Sequence, residues 1–236
     1  MFVAKNPVLD SLRNGGIVIG TQLRSRSTAI AELIGLCGFD FVRIETEHMV
    51  YNDEVIENTV RAAQLTGAVP LLRIPTHEQG RILQVLDMGI QGLILPSFDS
   101  RAAAYGLFST KEEYFATANK NVMIIPMIES VNGVKNVEAI LDAGADAVLI
   151  GRDDLSLSMG LPQDDPEYRK AIRWIIDCAT ERKIAVGTGA NSADHARRLI
   201  DEGYRMITYM ADLTILSDVY RKVVSELRTI INETRS

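Results

Sequence analysis

Short apolar runs rich in β-branched residues recur along the chain at nearly even intervals. They lie at residues 16–23, 39–48, 68–75, 92–98, 122–130, 146–154, 183–190 and 204–212. Runs of this length, separated by helix-like segments, read as buried parallel strands. The intervening segments 28–36, 53–65, 80–88, 131–142, 167–182 and 193–202 have helical patterns; in one, Val137, Ile140 and Leu141 fall three and four apart on one face. Five strands are announced by a glycine just after a helix: Gly38, Gly67, Gly89, Gly144 and Gly203. A glycine there takes the left-handed conformation that ends a helix cheaply, and the chain turns into the next strand. The repeat is one βα unit. Eight units in 236 residues give roughly thirty residues each, near the minimum for such a unit.

Eight units predict a closed (β/α)8 TIM barrel of parallel strands, formed by residues 1–236 as a single domain. The competing layout is an open doubly wound sheet. It is disfavoured because no Gly-rich dinucleotide fingerprint follows the first strand, and no linker divides the chain. The weakest helix is expected at 111–118. A formal charge of −6 lacks the basic footprint of nucleic-acid binders, so no nucleic-acid partner is expected. No apolar run reaches membrane-spanning length and the first residues hold no apolar signal core, so the expected setting is cytoplasmic, without a membrane partner. Cys37 and Cys178 lack metal-type spacing and read as buried free thiols.

Barrel chemistry sits at the C-terminal ends of the strands. The polar residues there are Gln22 and Arg24, then Glu45, Thr46, Glu47 and His48, then Arg73, Glu129, Asp153, Asp154 and Asp212. Glu129 and Asp154 each close an apolar strand. Two neighbouring carboxylates repel unless a cation lies between them, and oxygen-only ligation suits Mg²⁺ or Mn²⁺. Capping of loops or pairing with arginine is the competing role. His48 is placed to act as a general base at neutral pH, or to bond backbone at a strand end. His77 and His195 read as helix-start and solvent-face residues without a role. Arg73, flanked by apolar residues, needs a partner, either a structural carboxylate such as Glu45 or an anionic substrate. The Gly187–Ser192 stretch is a weak candidate for phosphate on backbone amides.

Taken in order, these residues resemble the HpcH/HpaI family of class II, metal-dependent pyruvate aldolases, which includes enzymes acting on 4-hydroxy-2-oxoheptanedioate and 2-dehydro-3-deoxyglucarate. The resemblance runs through the first strand at 15–21, the signature at 38–48, the arginine strand at 69–75, the stretch at 86–96, and the strands ending at Glu129 and Asp154. It implies a lyase that cleaves or forms a 4-hydroxy-2-oxo acid through a pyruvate enolate. Glu129 and Asp154 would hold the divalent ion (Mg²⁺ or Mn²⁺, with Co²⁺ also admitted). Amides of Asp153 and Asp154 would receive the pyruvate carboxylate. Arg73, beside Glu45, would stabilise the enolate oxygen, and His48, oriented by Asp87, would move a proton through a water. The partners implied are a 2-oxo acid (pyruvate or oxaloacetate) and an aldehyde of unknown identity. Asp87 ends a helix and His48 a strand, at opposite ends of a barrel. Their meeting requires a neighbouring subunit, and the family's hexamer, a trimer of dimers exchanging the C-terminal helix 213–231, meets that need.

The chain departs from the family pattern at four places. Glu45 replaces the usual Asp, Met127 stands where Gln is typical, Arg152 and Asp153 replace Pro and a small residue, and the segment between Ser97 and Asn121 is short. The metal–enolate half therefore reads as retained and the acceptor half as rebuilt. Alternatives are an oxaloacetate decarboxylase or enolate-condensing synthase, a barrel enzyme binding a phosphorylated metabolite at the strand 7 loop, and a non-catalytic family member.

Overall fold

Parallel strands β1 (Val18–Leu23), β2 (Phe41–Glu45), β3 (Val69–Arg73), β4 (Gly92–Leu95), β5 (Met123–Ile128), β6 (Ala147–Ile150), β7 (Ala185–Ala190) and β8 (Met206–Ala211) pair in sequence order and close on themselves. The structure, a computed structural model, describes residues 5–97 and 121–235. The helix expected at 111–118 and the short segment after Ser97 lie outside the described residues. The helices are α1 (Pro7–Arg13), α2 (Thr28–Leu36), α3 (Asp53–Leu65), α4 (Gln79–Asp87), α5 (Val131–Lys135), α6 (Val137–Asp142), α7 (Arg152–Met159), α8 (Pro166–Glu181), α9 (Ala193–Asp201) and α10 (Asp212–Arg235). This is the (β/α)8 barrel expected from the repeat.

Local chemistry sets the ends of these elements. Ser27, Asn52 and Ser192 cap α2, α3 and α9 by accepting the amides of Ile30, Val55 and His195. The five glycines read as helix stops all take positive φ, from 82° at Gly67 to 109° at Gly203. Three of the differences from the sequence reading change the layout of an element. The helix expected over 131–142 breaks at Asn136, where φ is −103° and ψ 10°. Strand β6 stops at Ile150, and Gly151 turns the chain into α7, so Asp153 and Asp154 occupy the first helical turn rather than a strand end. Likewise Asp212 opens α10 instead of closing β8. Cys178 is buried as expected. Cys37, at the C-terminal end of α2, is exposed, and both thiols are free.

Alternation along each strand divides the core in two. Outward-facing Val42, Ile44, Leu72, Leu93, Val148 and Ile207 pack under helix residues such as Ile56, Val60, Val85, Ile140 and Ile176. Inward-facing Phe41, Val69, Leu71, Ile94, Met123, Ile125, Leu149 and Met206 fill the barrel, joined by Val8, Leu9 and Leu12 of α1. Helix α1 was not foreseen from the apolar periodicity, and it closes the N-terminal end of the barrel. Its N-cap Asn6 is buried, accepts the Leu9 amide at 3.1 Å, and donates to the carbonyls of Gln91 and Asn121 at 2.9 Å. The opposite rim is left as the open end.

Helix α10 behaves differently. Residues 218–234 are all exposed, including Val219, Val223, Val224, Leu227 and Ile230. Only the first turns meet the barrel, where buried Asp212 accepts the amides of Arg24 at 2.9 Å and Ser25 at 3.1 Å. No helix among the described residues is long and apolar enough to cross a membrane.

Candidate active site at the barrel mouth

Glu45 organises one side of the mouth. It ends β2, is fully buried, and points inward in the same phase as Phe41 and Arg43. One oxygen accepts the amides of Glu47 at 2.9 Å and His48 at 3.3 Å. The other accepts from Gln22 and lies 3.5 Å from Arg73 Nη1 and 3.7 Å from Arg43 Nη2. Burial pushes the Glu45 carboxyl upward. The two guanidiniums and two amides outweigh it, so the group sits below its ordinary value. The carboxylate thereby fixes the turn that carries Glu47 and His48.

Arg73 is almost fully buried and lies among three carboxylates. Besides Glu45, Nη2 pairs closely with Glu47 and lies 3.7 Å from Glu129 Oε2. The sequence left two partners open for Arg73, and the structural one is realised. His48 is 62% exposed at its side chain, and its Nε2 lies 3.5 Å from Glu47 Oε2. The imidazole therefore reaches open solvent at the rim rather than being consumed by backbone.

Glu129 follows β5. Its Oε1 accepts the Ser97 amide at 2.6 Å, and Ser97 takes a left-handed φ of 51° in delivering it. Oε2 is buried without a hydrogen-bond partner. Burial raises the Glu129 carboxyl above its ordinary range, the Ser97 amide and Arg73 oppose the shift, and the Asp154 and Glu47 charges add to it. Glu129 and Asp154 line a common cavity of about 240 Å³ with Glu47, His48, Arg73, Ser97 and Ser130. Gly151 lets the two elements approach: a Cβ there would lie 2.8 Å from Glu129 Cβ and 2.9 Å from Oε2. Gly151 also N-caps α7 without a side chain, so the first amides of that helix have no intrahelical acceptor and can receive an anion.

These residues fit a divalent ion. Among the described residues, no three His, Cys, Asp or Glu side chains converge into a closed metal cage. A carboxylate oxygen without a hydrogen-bond partner, sharing a cavity with a second carboxylate, offers the oxygen donors that Mg²⁺ or Mn²⁺ would take together with water and substrate.

A second cavity, of about 510 Å³, shares Arg73 and Asp154 with the first. Its lining includes Gln22, Arg43, Met127, Arg152, Thr188, His195 and Met210. Arg43 and His195 were not recognised as site residues in the sequence. Arg43 is two residues before Glu45, so strand alternation alone places both inside the barrel. His195 Nδ1 contacts Asn191 Oδ1 at 2.9 Å, and its Nε2 lies 3.4 Å from Arg152 Nη1. Burial and the neighbouring Arg152 and Arg198 charges hold its imidazole below the usual range.

Two expected features are not assembled within the chain. Asp87 is the last residue of α4, before β4, and so lies at the opposite end of the barrel from His48. At the strand 7 loop, Gly187 and Gly189 belong to β7, Thr188 Oγ1 donates to the Ile150 carbonyl, and the amides of Asn191 and His195 face side chains. The amides of Asn191 and His195 therefore already have acceptors within the protein.

Comparison with known proteins matches residues 19–218 to the model of the HpcH/HpaI aldolase/citrate lyase family. The 5-keto-4-deoxy-D-glucarate aldolase of Escherichia coli O6:H1 is 27% identical, the match covering 84% of this chain and 87% of that protein. The hydroxypyruvate/pyruvate aldolase of Paraburkholderia phytofirmans is also 27% identical, over 97% of this chain and 100% of that one. Among solved structures, an HpcH/HpaI aldolase/citrate lyase family protein from Burkholderia cenocepacia J2315 superposes with a TM-score of 0.87 at 26% identity, over 95% of this chain and 100% of that chain.

Proposed function

The chain belongs to the HpcH/HpaI aldolase/citrate lyase family, and on that premise we propose that it is a divalent-metal-dependent carbon–carbon lyase. It cleaves or forms a 4-hydroxy-2-oxo acid through a pyruvate enolate. The observation that carries this reading is Oε2 of Glu129, buried without a hydrogen-bond partner in the cavity it shares with Asp154. Support also comes from the aldolase names of the curated relatives.

Glu129 and Asp154 would hold Mg²⁺, Mn²⁺ or Co²⁺, which when bound supplies Lewis-acid polarisation of the 2-oxo acid. The free amides of Asp153 and Asp154 at the start of α7 bind and orient its carboxylate. Arg73, held in place by Glu45 and Glu47, offers positive charge where the enolate oxygen develops negative charge. His48, next to Glu47 at the rim, takes the aldol hydroxyl proton through a water during cleavage and returns it during condensation. A carboxylate from a second subunit, Asp87, would orient His48. The exposed apolar face of α10 is consistent with an oligomer in which that helix rests on a neighbouring barrel, as in a hexameric trimer of dimers.

Solvent deuterium exchange into the methyl group of pyruvate tests the enolate step without the unknown aldehyde. Exchange is expected with Mg²⁺ or Mn²⁺ and is expected to be lost in Glu129→Ala and Asp154→Ala. Undiminished exchange in excess chelator rejects the metal-dependent reading.

A further inference from the structure

A third cavity opens on the outer side of His48. It measures about 750 Å³, and Glu47 and His48 line both it and the 240 Å³ cavity that contains Glu129 and Asp154. The 510 Å³ cavity is different: its lining takes in the start of α7 and leaves His48 out. The proposed lyase reading seats the substrate carboxylate at that helix start, the 2-oxo group at Glu129 and Asp154, and the C4 hydroxyl at His48. The chain beyond C4 therefore leaves past His48 into the third cavity, whose volume falls in the range, about 300–1,000 Å³, of sites that enclose small molecules. Its walls are largely apolar, with Met49, Val50, Tyr51, Ile56 and Pro75 in the lining. The Tyr51 hydroxyl is engaged, donating to the Leu23 carbonyl at 3.1 Å. Arg81 is the one arginine or lysine among the described residues of this lining, and Asp53 holds it at 2.7 Å. Arg26, beside the groove, donates to the Val50 carbonyl at 3.3 Å. Glu78 adds a carboxylate to the lining. An anionic group placed here would lose water without gaining a free cation.

We infer that this groove, between the β2–α3 and β3–α4 connections, is the acceptor subsite, and that the aldehyde it takes carries an uncharged, apolar chain. The inference rests on the proposed lyase reading and adds the chemistry of the acceptor to it. In condensation, C3 of the enolate bonds to the aldehyde carbon, and the aldehyde oxygen takes the proton that His48 returns through a water. Cleavage breaks the C3–C4 bond and reverses that proton transfer. Throughout, the chain on C4 stays in the groove, where Met49 and Val50 flank it next to the base in sequence. Met49 and Val50 are thus specificity residues, and neither touches the reacting atoms.

Condensation with pyruvate in buffered Mg²⁺, followed by pyruvate consumption and product mass, tests this. Hexanal is compared with acetaldehyde, and with 6-oxohexanoate, which has the same chain length and a terminal carboxylate. Each fully buried methylene is worth about fourfold, so in an open groove the longer hexanal should exceed acetaldehyde about tenfold or more in kcat/KM. Hexanal should also exceed 6-oxohexanoate about tenfold or more, because the groove offers that charge no free partner. Val50→Lys, at a position 84% exposed, supplies the missing cation and should cut the second ratio about tenfold. Met49→Gln makes the wall polar and should cut the first ratio. Taking ratios cancels any effect of either substitution on the 2-oxo end. Equal use of hexanal and acetaldehyde, a wild-type preference for 6-oxohexanoate, or ratios unchanged in both variants overturns the subsite. A changed oligomeric state by mass photometry with unchanged ratios assigns the groove to a second copy of the chain and overturns it as well. Pyruvate deuterium exchange by the wild type separates the two readings: exchange without the apolar preference removes only the subsite, whereas absent exchange and absent condensation with every aldehyde remove both.

Discussion

Replacing Glu45 by alanine removes an acceptor shared by Gln22, Arg43, Arg73 and two backbone amides at a fully buried position. Breaking a buried ionic cluster from one side costs about 3–5 kcal/mol, because the opposite charges remain buried and uncompensated. Against a total stability of about 5–15 kcal/mol, that is a large share. For a chain of this size each kcal/mol moves Tm by about 2–4 °C, so a fall of about 6–20 °C is expected in thermal unfolding followed by circular dichroism. Adding Arg43→Met should restore part of the loss, since one stranded cation is removed, with a coupling of about 0.5–3 kcal/mol. The pH dependence has a definite sign. Folding lowers the Glu45 pKa, so its stabilisation is complete above the ordinary value of 4.5 and is lost as pH falls through the lower folded value. Wild type should therefore lose stability on acidification more steeply than Glu45→Gln, and the gap between them should close. A change within about 0.5 kcal/mol for Glu45→Ala, the range of ordinary surface substitutions, would refute the reasoning.

Gly151→Ala should drive a methyl into Glu129, given the 2.8 Å approach, and cost about 1–3 kcal/mol in urea unfolding together with most of the pyruvate exchange. Normal exchange in that variant would show that Glu129 is not positioned by Gly151. Deleting residues 218–236 should convert an oligomer, seen by mass photometry as a multiple of 26.0 kDa, into monomers without exchange activity. A fully active monomer would dismiss the shared site that Asp87 requires.

The barrel was legible in the sequence because each βα unit repeats the same local chemistry. Strand runs, helix faces and glycine stops all agreed, and segments 28–36 and 53–65 became α2 and α3 with unchanged bounds. The acidic residues Glu45 and Glu129 were legible for a related reason: a carboxylate closing an apolar run stands out. Arg43 was hidden because it lies mid-strand, where a charged residue reads as solvent-facing unless the phase set by Glu45 is followed inward. His195 was hidden at the start of the amphipathic α9, since only the closed barrel brings that helix start against Arg152. Asp153 and Asp154 were placed one element too early. Gly151 makes the strand-to-helix turn in a single residue, and a hydropathy pattern cannot mark so short a turn.

With α1 seated as a stopper beneath the barrel, its Val8, Leu9 and Leu12 packed among the inward-facing strand residues, the described residues leave the vessel open at the opposite rim. Under the proposed lyase reading, a molecule split inside would send both fragments out past that rim. New specificity in such a vessel can arise only at its lip, while its base is free to specialise in staying shut.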